Sequence, residues 1–359
     1  MRGLSDKVIK EIICNKGVEY QKLREIINGI QNLNGHELFL AIRDDYINLY
    51  YKGANVVKIE FYKNGQIKEI TTHNKYWNGT GTGYKVVSLT ELDNIINNIE
   101  KYLANENKME KKWQQATIMR NNNEANPDWF LIDMEYIMER KNNGEKNYGR
   151  FDIVGISNNT EVPIVGLIEV KVDTDAFSGS GDDTSNLKTL KPISYDTNNA
   201  QRLGSGILGH FSDFIRYCND KKYIAKDCET IGRFNVLQKE IVNILENYKE
   251  LGLYSSVVPS LLEKIKKYGF RNVPDILFLL FGNQKSQNDI EEQFKRYVGT
   301  LKKGRVPNNT IVNTWDPVIL DKYNKNSSAL QLKYLIKIGE PQDVILSGCP
   351  INGAKNIFL

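Results

Sequence analysis

The chain has 359 residues, with 48 lysines and arginines against 44 aspartates and glutamates and a formal net charge of +4. With 40% hydrophobic and 26% charged residues, it has the make-up of a globular protein, which excludes a disordered chain and a membrane-embedded one. Its mild positive charge permits nucleic-acid binding without requiring it.

The longest apolar runs, such as Ile276 to Phe281, are strand-length and far short of a membrane span. Arg2, Asp6 and Lys7 open the chain where a secretory leader would be apolar, so a cytoplasmic location is expected. Cys14, Cys218, Cys228 and Cys349 form no Cys-x-x-Cys pair, which argues against a structural zinc site and against a disulfide framework. His36, His73 and His210 are scattered as well. Any metal is therefore expected to be bound by carboxylates.

In chain order, the apolar period predicts one amphipathic helix over 5–29, with Ser5 or Asp6 as cap and Val8, Ile9, Ile12 and Ile13 on one face. A β-meander follows at 37–42, 46–51, 56–62 and 66–72, and Asn64-Gly65 predicts a type I′ hairpin between the last two strands. The glycine-rich stretch from Asn78 to Gly83 lacks the Gly-Lys-Ser/Thr ending of a phosphate-binding loop, so it reads as a plain loop. From Ser88 to about Asn121 the pattern is helical, first with Leu92, Ile95, Ile96 and Ile99, then lysine-rich and polar. Strands are expected at 130–138, 150–157 and 163–172, then a polar and mobile insertion at 173–203. Helices at 206–219, 234–250 and 259–268, a strand from Pro274 to Phe281, a helix over 287–301 and a strand over 330–338 complete the order. This predicts an α/β (α+β) fold whose sheet is covered on both faces. The expected division is an N-terminal α+β module (1–88), for recognition or regulation, and a second, larger domain (89–359).

The chemistry is concentrated on one strand. Pro163 to Val172 is apolar except for Glu169 and Lys171, which period-2 alternation places on one face. Unpaired charges on a buried strand are costly, so the pair must meet partners, water or a metal. The same Glu-x-Lys spacing at Glu106–Lys108 and Glu110–Lys112 lies in polar surroundings and reads as a solvated helix face. Upstream, Asp152 is the one acidic residue in an apolar strand and lies at hairpin distance from Glu169. Between Phe130 and Met138, alternation puts Ile132, Met134, Tyr136 and Met138 on one face and Asp133 and Glu135 on the other. A third carboxylate can thus reach the same sheet edge. Carboxylates bind hard divalent ions, and a neighbouring lysine stabilises charge building on phosphorus. The bland alternative is a structural ion pair at a strand end.

Arg150-Phe151-Asp152 followed by Gly166-Leu167-Ile168-Glu169-Val170-Lys171 resembles the signature of the PD-(D/E)xK nuclease superfamily. The resemblance implies a restriction-endonuclease-like αβββαβ core with a mixed central sheet over roughly 92–302. It also implies Asp152 and Glu169 as metal ligands, Val170 as a carbonyl ligand, Lys171 as a catalytic residue and Glu135 as the preceding acidic residue. Phe151 stands where the signature has proline. Arg150, and His210 at the flank of the following helix, are the expected nucleic-acid contacts, with Lys188, Lys191 and Arg202 as further candidates. The expected activity is a Mg²⁺- or Mn²⁺-dependent nuclease, on DNA more than RNA, in phage defence, restriction or a mobile element. The alternative is a catalytically inactive nuclease fold that binds nucleic acid or protein as a scaffold. A homodimer or a regulatory protein partner acting through the aromatic N-terminal module stays open, and no membrane partner is expected.

Overall fold

The computed structural model describes residues 2–31, 37–79, 81–103, 109–137, 150–173, 233–282, 286–302, 331–338 and 344–356, together with His210, Phe214, Tyr217, Cys218 and the short strands β9 (Tyr223–Ile224) and β10 (Thr230–Ile231). The first apolar period forms two helices rather than one, α1 (Asp6–Cys14) and α2 (Val18–Gln31). The break falls at Asn15, whose side-chain oxygen accepts the Gly17 N–H at 2.8 Å. Such local side-chain bonds offer the backbone an alternative to the helical ladder.

Strands β1 (Leu38–Ile42), β2 (Tyr46–Tyr51), β3 (Ala54–Phe61), β4 (Ile67–His73) and β5 (Tyr84–Val86) form an antiparallel sheet in chain order, with helix α3 (Asn74–Asn78) before the last. The type I′ geometry expected at Asn64-Gly65 occurs instead at Lys52-Gly53, where both residues have positive φ, 46° and 79°. At Asn64-Gly65 only the glycine does, at 92°, and Tyr62 N–H donates to Gln66 O at 2.8 Å across a three-residue turn. Packing requires glycine in both turns: a Cβ on Gly65 would lie 2.4 Å from the Lys7 carbonyl oxygen, and one on Gly53 would lie 2.3 Å from the Lys111 carbonyl carbon.

Helices α4 (Leu92–Leu103) and α5 (Met109–Asn122) lead to a second sheet of β6 (Trp129–Ile137), β7 (Arg150–Ser157), β8 (Val165–Val172), β11 (Asp275–Gly282), β12 (Gln331–Ile338) and β13 (Lys355–Asn356). Its order is β13-β12-β11-β8-β7-β6. The meander β6-β7-β8 is antiparallel, whereas β11 runs parallel to β8 and β12 parallel to β11. The sheet is therefore mixed, as expected. Among the described residues of 206–219, His210, Phe214, Tyr217 and Cys218 are helical. The polar insertion, with Lys188, Lys191 and Arg202, lies outside the described residues.

Both faces of the second sheet are covered. On one, Leu237, Ile241 and Tyr248 of α6 (Arg233–Glu250) and Leu261 of α7 (Val258–Tyr268) join Leu167, Ile276 and Phe278 in one buried cluster. The same cluster takes in Leu4, Val8, Leu40 and Ile47 from the first 88 residues. On the other face, Trp113 and Ile118 of α5 and the C-terminal Val344, Leu346 and Ile351 cover Ile168, Val170, Leu277 and Leu279. No described helix is long and apolar enough to cross a membrane.

The expected alternation along β6 does not hold. Ile132 and Tyr136 lie in the first cluster and Met134 in the second: a bulge between Leu131 and Asp133 inserts one unpaired residue, and the left-handed backbone of Glu135, at φ 52°, interrupts the alternation again. Asp133 is thereby buried, where it ion-pairs with both Arg2 and Arg43.

Helix α8 (Gln287–Lys302) supplies a second charged cluster. Glu291 meets Lys295 at 2.8 Å, Lys355 at 2.7 Å and the Tyr334 hydroxyl at 3.0 Å. Hydrogen bonds from Lys295 and Lys355 bring its carboxyl down to about 2 from an ordinary 4.5. A folded value below the unfolded one means stabilisation that is present at neutral pH and lost as the pH falls from about 5 toward 2. Because both lysines are more than half exposed, Glu291→Gln should cost at most about 1 kcal/mol at pH 7. Thermal melts of parent and variant should converge as the pH is lowered through this window; a gap independent of pH would count against the cluster.

Candidate metal centre

Asp152 lies near the start of β7 and Glu169 toward the end of β8, one step beyond the Ile153–Ile168 pair of the ladder. The Asp152 carboxylate accepts the Val170 N–H at 2.8 Å, which ties it to the neighbouring strand. Lys171 shares the face of Glu169, and its Nζ is 2.7 Å from Glu169 Oε1. On the other side, β11 presents only Phe278 and Leu280 opposite these two charges. Their further partners come from helices.

Helix α5 contributes Glu110, whose Oε1 lies 3.3 Å from Lys171 Nζ. The helical His210 brings its Nε2 to 3.0 Å from Glu169 Oε1. One carboxylate oxygen each from Glu110, Asp152 and Glu169 lie within 4.8 Å of one another, and these three residues could hold a metal ion. Asp152, Glu169, Lys171 and His210 are all buried, at 5%, 0%, 4% and 7% exposure, while the Glu110 side chain keeps 37% of its surface in solvent. Glu110 is thus the side that opens outward.

The electrostatics separate the carboxylates. Burial raises Asp152 well above the usual carboxylate range, and the negative charges of Glu169 and Glu110 add to it against Lys171. Burial also pushes Glu169 up, but the charges of His210 and Lys171 outweigh it and bring Glu169 down to about 2. For Lys171, burial favours the neutral amine, yet Glu169, Asp152 and Glu110 overcome it and raise its pKa. The lysine is accordingly an ammonium at neutral pH. Lys171 and His210 approach Glu169 Oε1 at ion-pair distance but outside hydrogen-bond angles. Among the described residues neither oxygen of Glu169, nor Nδ1 of His210, has a hydrogen-bond partner. An all-oxygen donor set with an unsatisfied buried carboxylate suits a hard divalent cation.

The residues singled out in the sequence fare differently. Asp152, Glu169 and Lys171 meet at one place, and His210, expected on a helix flank, touches Glu169 directly. Val170 takes part through its backbone N–H to Asp152. Glu135 does not join the cluster. It stands across from Asp152, between the Met134–Ile153 and Tyr136–Phe151 pairs, but its backbone is left-handed at φ 52°. Its side chain meets Lys111 at 2.6 Å and Arg150 at 3.1 Å instead. Arg150 is thereby an exposed partner of Glu135.

The third carboxylate is Glu110, which its polar neighbours disguise as part of a solvated face. Helix α5 is buried through polar contacts: Gln115 binds the Gly53 N–H (2.7 Å), Asn122 the Leu131 N–H (2.8 Å) and Asn121 the Leu346 N–H (2.7 Å). Only Trp113 and Ile118 among its apolar residues hint at burial. Comparison with family models, with curated proteins and with solved structures finds no match. The resemblance to the PD-(D/E)xK superfamily therefore rests on these residues alone.

Proposed function

We propose that this chain is a Mg²⁺- or Mn²⁺-dependent phosphodiesterase of the PD-(D/E)xK type, acting on nucleic acid and on DNA more than RNA. The observation that carries the reading is the meeting of Asp152, Glu169 and Glu110, with the Lys171 ammonium 2.7 Å from Glu169. The antiparallel meander followed by a parallel strand, with a helix before it, supports a restriction-endonuclease-like core.

Asp152, Glu169 and Glu110 are the residues that would hold the ion. What Mg²⁺ or Mn²⁺ supplies in such a site is a water of lowered pKa and neutralisation of charge on the scissile phosphate. Lys171 stays charged through its carboxylate partners, so it acts as a fixed positive group that stabilises charge developing on phosphorus rather than as a base. His210 orients Glu169 through Nε2, 3.0 Å from Oε1. The Val170 N–H holds Asp152 in place.

One observation favours a second reading. Lys171 already lies between Glu169 and Glu110, an arrangement in which the charges compensate one another without an ion, as in a scaffold that binds but does not cleave. Incubating the protein with linear, circular and single-stranded DNA and with RNA, with and without Mg²⁺ or Mn²⁺, separates the two. Metal-dependent cleavage is expected. Intact substrates together with retained nucleic-acid binding would favour the scaffold.

A further inference from the structure

The Lys52-Gly53 turn, the β4–α3 junction and β5 enclose, with α5 and β6, a cavity of about 160 Å³. Lys52, Lys75 and Lys111 line it with one carboxylate, Glu135, and Tyr76 and Tyr84 complete its walls; the Lys52 ammonium is itself paired with Glu100 at 2.6 Å, so Lys75 and Lys111 are the cations offered to a ligand. Glu135 Oε1 is shared between Lys111 and Arg150, so Arg150 keeps that carboxylate compensated when Lys111 turns to another anion. The Lys75 ammonium lies 4.7 Å from the Tyr76 ring centre. Tyr84 is 72% exposed, with His73 set edge-on to it at 5.4 Å. One lining residue, Glu135, holds a left-handed backbone at φ 52° inside a strand, a strain that persists where the surroundings over-determine it and that concentrates at ligand sites. Helix α5 presents Glu110 to the carboxylate cluster and Lys111 to this cavity.

We propose that this cavity binds a nucleoside phosphate, with the phosphate among the lysines and the base stacked on Tyr84 at the rim. Lysine ammonium groups serve phosphate as point charges. A cavity of about 160 Å³ is smaller than the roughly 300–1,000 Å³ that enclose a whole ligand, so it takes the phosphate and leaves the base outside. An exposed tyrosine ring is the surface on which a base stacks. The phosphate can belong to a free nucleotide or to the 5′ end of a nucleic-acid strand. The site does not depend on the phosphodiesterase reading.

Calorimetric titration of the full chain in EDTA tests it, with AMP, adenosine, inorganic phosphate, and a short oligonucleotide carrying a 5′-phosphate or a 5′-hydroxyl. AMP or the 5′-phosphorylated oligonucleotide should bind at least about tenfold more tightly than phosphate alone, because stacking adds to charge. The tighter of the two identifies the source. The Lys75→Gln/Lys111→Gln double variant should weaken that binding by about tenfold or more, since it removes the charged donors. Tyr84→Ala should weaken AMP but not phosphate, and Glu169→Gln should leave AMP binding unchanged. The proposal is overturned if neither AMP nor the 5′-phosphorylated strand binds saturably, if phosphate alone binds as tightly, if the double lysine variant binds like the parent, or if Glu169→Gln abolishes binding.

Discussion

Glu169→Gln is expected to weaken metal binding and with it phosphodiester cleavage, whereas Lys171→Ala is expected to cut cleavage by on the order of 10²–10³ and keep metal binding. The two residues touch at 2.7 Å, yet they do opposite things to a cation. Glu169 is the deeply buried carboxylate, held ionised by Lys171 and His210, and its amide would be a neutral and weaker ligand. Lys171 competes with an incoming ion for Glu169 and Glu110. Its removal therefore leaves the carboxylates open to metal while deleting the group that, in the proposed reaction, stabilises charge on the phosphate. Loss of one such preorganised positive group costs on the order of 10²–10³ in rate. Titration with Mn²⁺ beside a cleavage assay reads both effects, and thermal melts confirm that each variant folds. Cleavage by Lys171→Ala at the parent rate would remove the lysine from the mechanism. Metal affinity in Glu169→Gln equal to that of the parent would remove the proposed site.

The second large effect concerns stability. Asp133 is 1% exposed and ion-pairs with Arg2 and Arg43, so it joins the N-terminal residues to the second sheet. Arg43 is itself buried and donates to the Met134 carbonyl at 2.8 Å. Burial works against its charge, but the Asp133 carboxylate outweighs it and raises the Arg43 pKa. Arg2 lies with its guanidinium 3.8 Å above the Tyr136 ring, and Tyr136 in turn donates to Glu240. Asp133→Ala leaves two guanidinium groups facing each other in a poorly solvated space. Removing one partner of a buried pair costs about 3–5 kcal/mol, a large part of the roughly 5–15 kcal/mol that holds a domain folded. Urea unfolding should show the midpoint falling at unchanged slope. The Asp133→Leu/Arg43→Leu double variant should recover part of the loss, because Arg43 no longer needs a counter-ion, and only part, because the Arg2 guanidinium still loses its carboxylate. A loss under about 1 kcal/mol for Asp133→Ala would show that solvent reaches the pair.

Several parts of this protein are legible in its residues before any coordinates. Glu169 and Lys171 stand out because two charges in an otherwise apolar strand demand partners, and Asp152 stands out for the same reason. The strands and most helices follow from the apolar period, which depends only on neighbours in the chain. Turn type does not: Asn-Gly favours type I′ by propensity, but the type I′ φ values occur at Lys52-Gly53, and the requirement for glycine in both turns comes from the distant backbones of Lys7 and Lys111.

The sequence by itself determines the mixed α/β class, most of the longer strands and helices, and the pairing of Asp152 with Glu169 and Lys171, since each depends on local period and on the cost of burying charge; the short elements α3, β5 and β13 and the break between α1 and α2 carry no such period. The tertiary structure alone decides that Glu110 rather than Glu135 completes the carboxylate cluster and that Asp133 is buried against two arginines. The reason is geometric. One inserted residue at the Leu131–Asp133 bulge and one left-handed backbone at Glu135 change where side chains point. Helix α5 is buried by amides that bond to distant backbone groups, a pairing that leaves no period in the chain.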